Sequence, residues 1–106
     1  MAETLPGLGR FTDAGLLILT SLAGGERHGY AIMDDVRDMT GVKLGPGTLY
    51  AALTRLSRMG YIEAVSAAHP RRRPYRLTPA GIQALEVQVA GLQRLASTAT
   101  ERLALL

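Results

Sequence analysis

The chain has 106 residues, of which 47% are hydrophobic, and this is enough for one compact domain but too little for two. It contains no cysteine, which excludes disulfides, thiolate zinc sites, iron–sulfur clusters and cysteine nucleophiles. The formal net charge of +3 is unevenly distributed, since residues 43–76 carry seven Lys and Arg side chains against one acid, Glu63. Such a basic cluster is typical of a nucleic-acid footprint, although an acidic protein partner would also fit it.

The first predicted element is a buried helix that follows an N-terminal arm. We expect residues 1–11 to form a poorly ordered arm, and Thr12 to be the N-cap of a helix that ends at Gly24 and Gly25. Apolar residues lie nearly all round this helix, so it should be covered by the other elements. Its longest apolar run, from Ala14 to Leu19, is too short to cross a bilayer, and no leader segment is visible. The sequence therefore predicts a cytoplasmic protein without a membrane contact.

A second helix is predicted from His28 to Thr40, with Gly41 ending it. Its inward face would be formed by Tyr30 or Ala31 together with Ile32, Met33, Val36 and Met39. Asp34, Asp35 and Asp38 should form a solvated acidic face that turns away from DNA. Because adjacent acids on a helix diverge by about 100° per residue, we expect no metal site there.

The stretch from Gly45 to Gly60 predicts a third helix with clear ends. Pro46 suits the first turn and Gly60 suits the left-handed position just past the end. Leu49, Leu53 and Leu56 would form the core stripe, leaving a face that is slim near its N-terminus and cationic further along. Such a face suits the major groove, where slim residues approach the bases and guanidinium groups bind guanine or phosphate. An ordinary surface helix with solvated arginines explains the same pattern about equally well.

Two alternating stretches predict a hairpin after this helix. Residues 61–68 and 74–78 would be its strands, and His69-Pro70-Arg71-Arg72-Arg73 its basic tip. The side chains expected to face inward are Ile62, Ala64, Tyr75 and Leu77, whereas Glu63 and Arg76 should face outward. Three arginines at a hairpin tip would not contribute to the hydrophobic core, but they could contact a phosphate backbone or enter a narrow minor groove.

The last predicted helix begins with Thr78 as its N-cap and Pro79 at its first position, and should reach almost to Leu106. Apolar residues recur along it at the a/d spacing of a two-helix seam, which predicts dimerisation. The seam residues are Ile82, Leu85, Val89, Leu92, Ala96, Ala99, Leu103 and Leu106. At about 40 Å, this helix would outrun so small a core, although it could instead fold back on its own domain. We therefore divide the chain into residues 1–78, the arm with the DNA-binding domain, and residues 79–106, a dimerisation helix.

Several motifs occur in the order found in one family of bacterial regulators. They are His28-Gly29-Tyr30, Pro46-Gly47-Thr48-Leu49-Tyr50, Gly60-Tyr61-Ile62 and Tyr75-Arg76-Leu77-Thr78-Pro79-Ala80-Gly81. With these motifs the chain resembles the PadR family of transcriptional regulators. The resemblance implies a mainly α (α+β) fold, a winged helix-turn-helix with a two-stranded wing and a long C-terminal dimerisation helix. It also implies a homodimeric repressor that binds a palindromic operator in double-stranded DNA, with release by a small aromatic or hydrophobic effector in some members. The basic wing tip differs from the glycine-rich or mixed loops of many relatives.

Combining the pattern with the resemblance gives candidate sites. The predicted DNA-binding residues are Lys43, Gly47, Thr48, Tyr50, Ala51, Thr54, Arg55, Arg58, Arg71, Arg72 and Arg73. A pore between two subunits could hold the effector, lined by Leu8, Phe11, Leu92 and Ala96.

An enzyme is disfavoured, because the sequence offers no catalytic residues, no metal ligands and no cofactor motif. The two histidines have other interpretations, since His28 should cap or pack at a helix start and His69 should lie on an exposed loop. The remaining alternative is a winged-helix protein-interaction module that binds no specific DNA.

Overall fold

A computed structural model describes residues 13–65 and 73–106 of the chain. The elements occur in the order α1 (Ala14–Ala23), α2 (Gly29–Thr40), α3 (Pro46–Arg58), β1 (Ile62–Ala64), β2 (Tyr75–Leu77) and α4 (Pro79–Leu103). This is the mainly α winged-helix order that the sequence predicts. The expected N-terminal arm, Thr12 and most of the wing tip lie outside the described residues.

Side-chain caps determine where α1 and α2 begin, and a glycine determines where α2 ends. At α1 the cap is Asp13, whose carboxylate accepts a hydrogen bond from the Leu16 amide at 2.8 Å, so the expectation of Thr12 as the N-cap was wrong. His28 caps α2, with Nδ1 accepting from the Ala31 amide at 3.4 Å, as its position at the helix start predicts. Gly41 ends α2 with a left-handed φ of 75°, which only glycine adopts without cost.

The core lies where α1 packs against α2, α3, α4 and the hairpin. Ile18, Ile32, Val36, Leu49 and Leu53 are almost completely buried, and these residues come from the first three helices. The apolar faces expected for α1 and α3 are confirmed. On α2, however, Tyr30 is 63% exposed, because it lies about 160° around the helix from the buried Ile32, and Met39 is 43% exposed near the C-terminal end of the helix.

The hairpin pairs two short antiparallel strands and is anchored to the helices. Ile62 pairs with Leu77, Glu63 with Arg76, and Ala64 with Tyr75. The strands are three residues each, shorter than the alternation predicts. Ala64 is exposed rather than inward, because the core reaches Ile62 but not the next inward position along β1.

A single residue of the turn between α1 and α2 joins the hairpin as a third, one-residue strand. The Arg27 amide donates to the Tyr75 carbonyl at 3.2 Å, and the Tyr75 amide donates to the Arg27 carbonyl at 2.9 Å. The Arg27 side chain also donates to the Ser21 carbonyl and lies 3.7 Å from Asp35. Arg27 therefore ties α1, α2 and the wing together.

The start of α4 is fixed on the turn between α3 and β1. Thr78 caps α4 by accepting from the Gly81 amide at 3.1 Å, and its own hydroxyl donates to the Gly60 carbonyl. Gly81 is buried against the Tyr61 carbonyl, where a β-carbon would overlap that oxygen. Beyond Gly91 α4 leaves the domain and every residue is exposed, and the protein measures 57 Å along its longest axis by 28 and 20 Å. The helix ends at Leu103, slightly before the predicted end.

Candidate nucleic-acid interface

The third helix, α3, has a buried side and an exposed side that follow directly from its sequence. Pro46 occupies the first position after the N-cap Gly45, and Gly60 adopts a φ of 78° just past the end, as predicted. Leu49, Ala52, Leu53 and Leu56 form its buried side. Unlike the other three helices, α3 has no side-chain cap, so its first amides have no protein partner of that kind.

Four exposed residues run along the middle of the outer face of α3, and we name them the central stripe. At about 100° per residue they lie directly opposite the buried side. From the N-terminus they are Gly47, Ala51, Thr54 and Arg58, all exposed. The stripe is slim for two turns and ends in a guanidinium group, which is the arrangement the sequence predicts for a helix that enters a groove.

Three other predicted residues lie at the two borders of this face. Thr48 and Tyr50 are separated by about 200° of rotation, so they lie on opposite borders rather than side by side. Arg55 shares the border of Thr48 and leans onto α1, where its Nη2 lies 3.5 Å from the position of a β-carbon on Gly15. Tyr50 leans onto α2 and covers Gly29, with 44% of the tyrosine exposed.

In the described part of the wing, Arg76 is paired with acids at the stem and Arg73 is exposed. Arg76 Nε donates to Glu63 at 2.8 Å, and Arg76 Nη1 lies 3.6 Å from Glu26. The hydrogen bond to Glu63 raises the pKa of Arg76 above its ordinary value, so the guanidinium remains charged but is already paired. Arg73 is exposed, and Arg71 and Arg72 lie outside the described residues. The stem therefore serves to hold the wing.

Most of the charged side chains on α2 and in the link before α3 are exposed. Lys43, in the link before α3, is exposed. Asp34 and Asp38 are exposed, and Asp35 is partly buried beside Arg27. Across residues 13–65 and 73–106, no three His, Cys, Asp or Glu side chains are grouped closely enough to hold a metal ion.

The predicted seam residues lie in two different environments. Leu85 packs against the core of its own domain, whereas Ile82, Val89, Leu92, Ala96, Ala99 and Leu103 are exposed. Two of the residues predicted to line an effector site, Leu92 and Ala96, are on this exposed part, and the other two, Leu8 and Phe11, lie outside the described residues.

In the part of the chain that the structure describes, no helix has both the length and the hydropathy to cross a membrane.

A groove of about 780 Å³ lies between α1, α3 and α4. Leu16, Leu19, Leu56 and Val87 contribute apolar walls, and Arg55 stands at its border. Neither Leu92 nor Ala96 lines it. A molecule bound in this groove would therefore contact the C-terminal end of α3 through Arg55 and Leu56.

Sequence reasoning missed the residues that hold α3 and the wing in place. Arg27 was not singled out, because its backbone pairing with Tyr75 joins distant parts of the chain. The close contacts of Gly29 with α3 and of Gly81 with Tyr61 were not predicted either. Both glycines belong to the motifs of the family resemblance, and each lies in the first turn of a predicted helix, where alanine would ordinarily be the better helix former.

Comparison with protein families and known proteins gives a consistent result. Residues 18–87 match the model of the Transcriptional regulator PadR-like family. An uncharacterized 37.1 kDa protein in a transposon of Streptomyces fradiae is 40% identical over 92 residues, which are 87% of this chain and 26% of that protein. The chain thus spans about a quarter of the length of this relative.

Solved structures of similar length share the fold. A transcriptional regulator from Clostridium thermocellum is 29% identical with a TM-score of 0.74, over 83% of this chain and 87% of that one. A PadR family transcription regulator from Clostridium difficile is 26% identical with a TM-score of 0.74, over 85% of this chain and 97% of that one.

Proposed function

The chain belongs to the PadR-like family of transcriptional regulators, which are not enzymes, and we propose that it is a homodimeric repressor of a palindromic operator. The observation that carries the proposal is the central stripe of Gly47, Ala51, Thr54 and Arg58 on α3. A slim, exposed surface that ends in a guanidinium can approach base edges without a steric barrier. The uncapped start of α3 adds free amides of the kind that bind phosphate.

Within this interface we assign base reading to the central stripe and positioning to its borders. Arg58 is directed outward from the middle of the face and is the best candidate for a bidentate contact with guanine, worth about 1–3 kcal/mol. Thr54 keeps acceptor capacity, although its hydroxyl donates to the Tyr50 carbonyl at 2.9 Å. Thr48, Arg55 and Lys43 would contact phosphates at the edge of the groove.

The wing supplies affinity that does not depend on sequence. Arg71, Arg72 and Arg73 form its basic tip, and the paired stem at Arg76 keeps the two strands fixed to the helices. Phosphate contacts release counterions, so replacing all three tip arginines by alanine should lower the salt dependence of binding by up to about three ions. The loss should be similar for operator and random duplexes.

Dimerisation through α4 would place two recognition helices on one face of the duplex. Such helices must lie about 34 Å apart to enter successive major grooves. Leu92 and Leu103 are exposed on the part of α4 that leaves the domain, and burying them against a second copy would remove apolar surface from water. A small hydrophobic effector bound between the subunits near Leu92 and Ala96 would change this spacing and release the operator.

In vitro selection from a pool of random duplexes tests the proposal and identifies the operator in the same experiment. We expect a palindromic consensus with half-sites about 10 base pairs apart. Arg58→Ala should relax the preference at one position in each half-site, whereas the triple arginine variant of the wing tip should keep the same consensus with weaker binding. Retention of random DNA without enrichment of any consensus would refute specific recognition, and failure to retain any duplex would favour a protein-interaction module.

A further inference from the structure

The recognition helix touches the start of α2 through one unusually close contact. Gly29 is buried at the first position of α2, and the space beside its α-carbon is filled by Tyr50. A β-carbon built on Gly29 would lie 2.8 Å from the Tyr50 hydroxyl oxygen, 3.2 Å from Tyr50 Cζ and 3.2 Å from Leu49 Cδ2. The absence of a side chain at Gly29 therefore determines how closely α3 approaches α2.

The backbone on both sides of this contact is held from elsewhere. The start of α2 is fixed by the His28 side chain, which accepts from the Ala31 amide, and by the buried Ile32 one turn later. On α3, Leu49 is completely buried and immediately precedes Tyr50. Because the buried Leu49 side chain cannot move freely, a larger group at position 29 would have to swing the half-exposed Tyr50 ring outward and rotate the first turns of α3.

We infer that Gly29 and Tyr50 form a spacer that sets the rotation and depth of the recognition helix, and that Tyr50 is a positioning residue for base recognition. The inference rests on the proposed function and deepens it. Tyr50 lies next to Ala51 of the central stripe, so a rotation of the first turns of α3 moves the residues that approach the bases. Bidentate base contacts tolerate little displacement, because hydrogen bonds weaken steeply with distance and angle.

This role differs from a direct contact between the Tyr50 hydroxyl and a phosphate, which is the simplest form of the DNA-binding role predicted for Tyr50. A phosphate contact would contribute equally to operator and random DNA. A spacer instead affects the operator more than random DNA, because only base recognition needs the correct helix rotation. Its effect should also depend on the size of residue 29, since the two groups share one space.

Three variants and one control test the inference by fluorescence anisotropy with the selected operator and a random duplex. Gly29→Ala should weaken operator binding by about tenfold and random-DNA binding much less, because a lost base contact carries a penalty of that order. Tyr50→Phe removes the oxygen that lies closest to position 29, and should weaken operator binding by no more than about threefold. The double variant should bind the operator more tightly than Gly29→Ala alone. Gly91→Ala is the matched control, since a β-carbon at Gly91 on α4 would find only Arg94 Nη2, at 3.8 Å, and should leave operator binding unchanged.

Thermal unfolding of the same four proteins tests the contact without DNA. Gly29→Ala should lower the Tm, and Tyr50→Phe in the same chain should restore part of the loss, because residues in contact show non-additive effects. Equal operator binding by Gly29→Ala and the unaltered protein would overturn the inference, as would a double variant no better than Gly29→Ala in both measurements. An unaltered protein that binds no duplex would overturn the proposed function, while the unfolding data would still decide whether the spacer exists.

Discussion

The two halves of α4 have the same apolar spacing but different surroundings. In the proximal half, residues 79–91, Gly81 is buried against the Tyr61 carbonyl and Leu85 packs against the core. In the distal half, residues 92–106, every residue is exposed, including Leu92 at 39% and Leu103 at 67%. The proximal half is therefore anchored to the protomer at Gly81 and Leu85, although Ile82 and Val89 are exposed there. The apolar residues of the distal half have no partner within the described protomer, and we propose that a second copy covers them.

This difference changes how the seam should be tested. A charge at Leu85 would disturb the fold of the protomer, because Leu85 contacts the core of its own domain. A charge at Leu92 or Leu103 would leave that core intact. Variants in the two halves should thus separate stability from assembly.

The largest effect is expected from Gly81→Ala in the proximal half. The new β-carbon would overlap the Tyr61 carbonyl oxygen, so the first turn of α4 must move away from the turn between α3 and β1. Overpacking against backbone costs roughly 3 kcal/mol, and we expect a corresponding loss in the free energy of unfolding measured with denaturant. An unchanged midpoint would show that α4 is not held at this point.

The next effect is expected from the double variant Leu92→Asp with Leu103→Asp in the distal half. Two unpaired charges in an apolar seam would prevent association at micromolar concentration, while circular dichroism should still show a folded domain. Ser97→Asp with Thr98→Asp is the matched control, because it adds the same charge on the opposite side of the exposed helix. Sedimentation velocity would distinguish them, and a double leucine variant that remains dimeric would exclude this seam.

The smallest effect is expected from Gly91→Ala, where the two halves meet. A β-carbon at Gly91 would find only Arg94 Nη2, at 3.8 Å, so alanine fits without strain. Replacing a glycine within a helix by alanine stabilises it by about 0.5–1 kcal/mol, and Tm should rise accordingly. A fall in Tm would mean that the close approach of a second chain at Gly91 requires glycine. The same glycine-to-alanine change should therefore lower the stability of the protein at Gly81 and raise it at Gly91, which separates the anchored start of α4 from its exposed part most clearly.

The order and approximate ends of the elements could be predicted because local chemistry determines them. Pro46 at the start of α3, Gly60 after its end and Thr78-Pro79 at the start of α4 all act as expected. Periodicity likewise identified the buried side of α3, since a helix places Leu49, Leu53 and Leu56 on one side whatever their partners are.

What could not be predicted depends on contacts between elements. Ala64 alternates correctly along its strand, yet the core ends before it, and strand alternation carries no information about that distance. Tyr50 and Arg55 belong to the exposed face, but whether they lean onto α2 and α1 depends on how those helices pack. The DNA-binding, effector-binding and dimerisation roles remain predictions.

The most direct test of the account is the mass of the complex between the intact chain and its selected operator, measured by sedimentation equilibrium. Two recognition helices on one duplex require two protomers held by α4. We predict two protomers for each duplex at micromolar concentration, and a dimer in the absence of DNA. A chain that is monomeric alone and binds the operator as a single protomer would contradict the account.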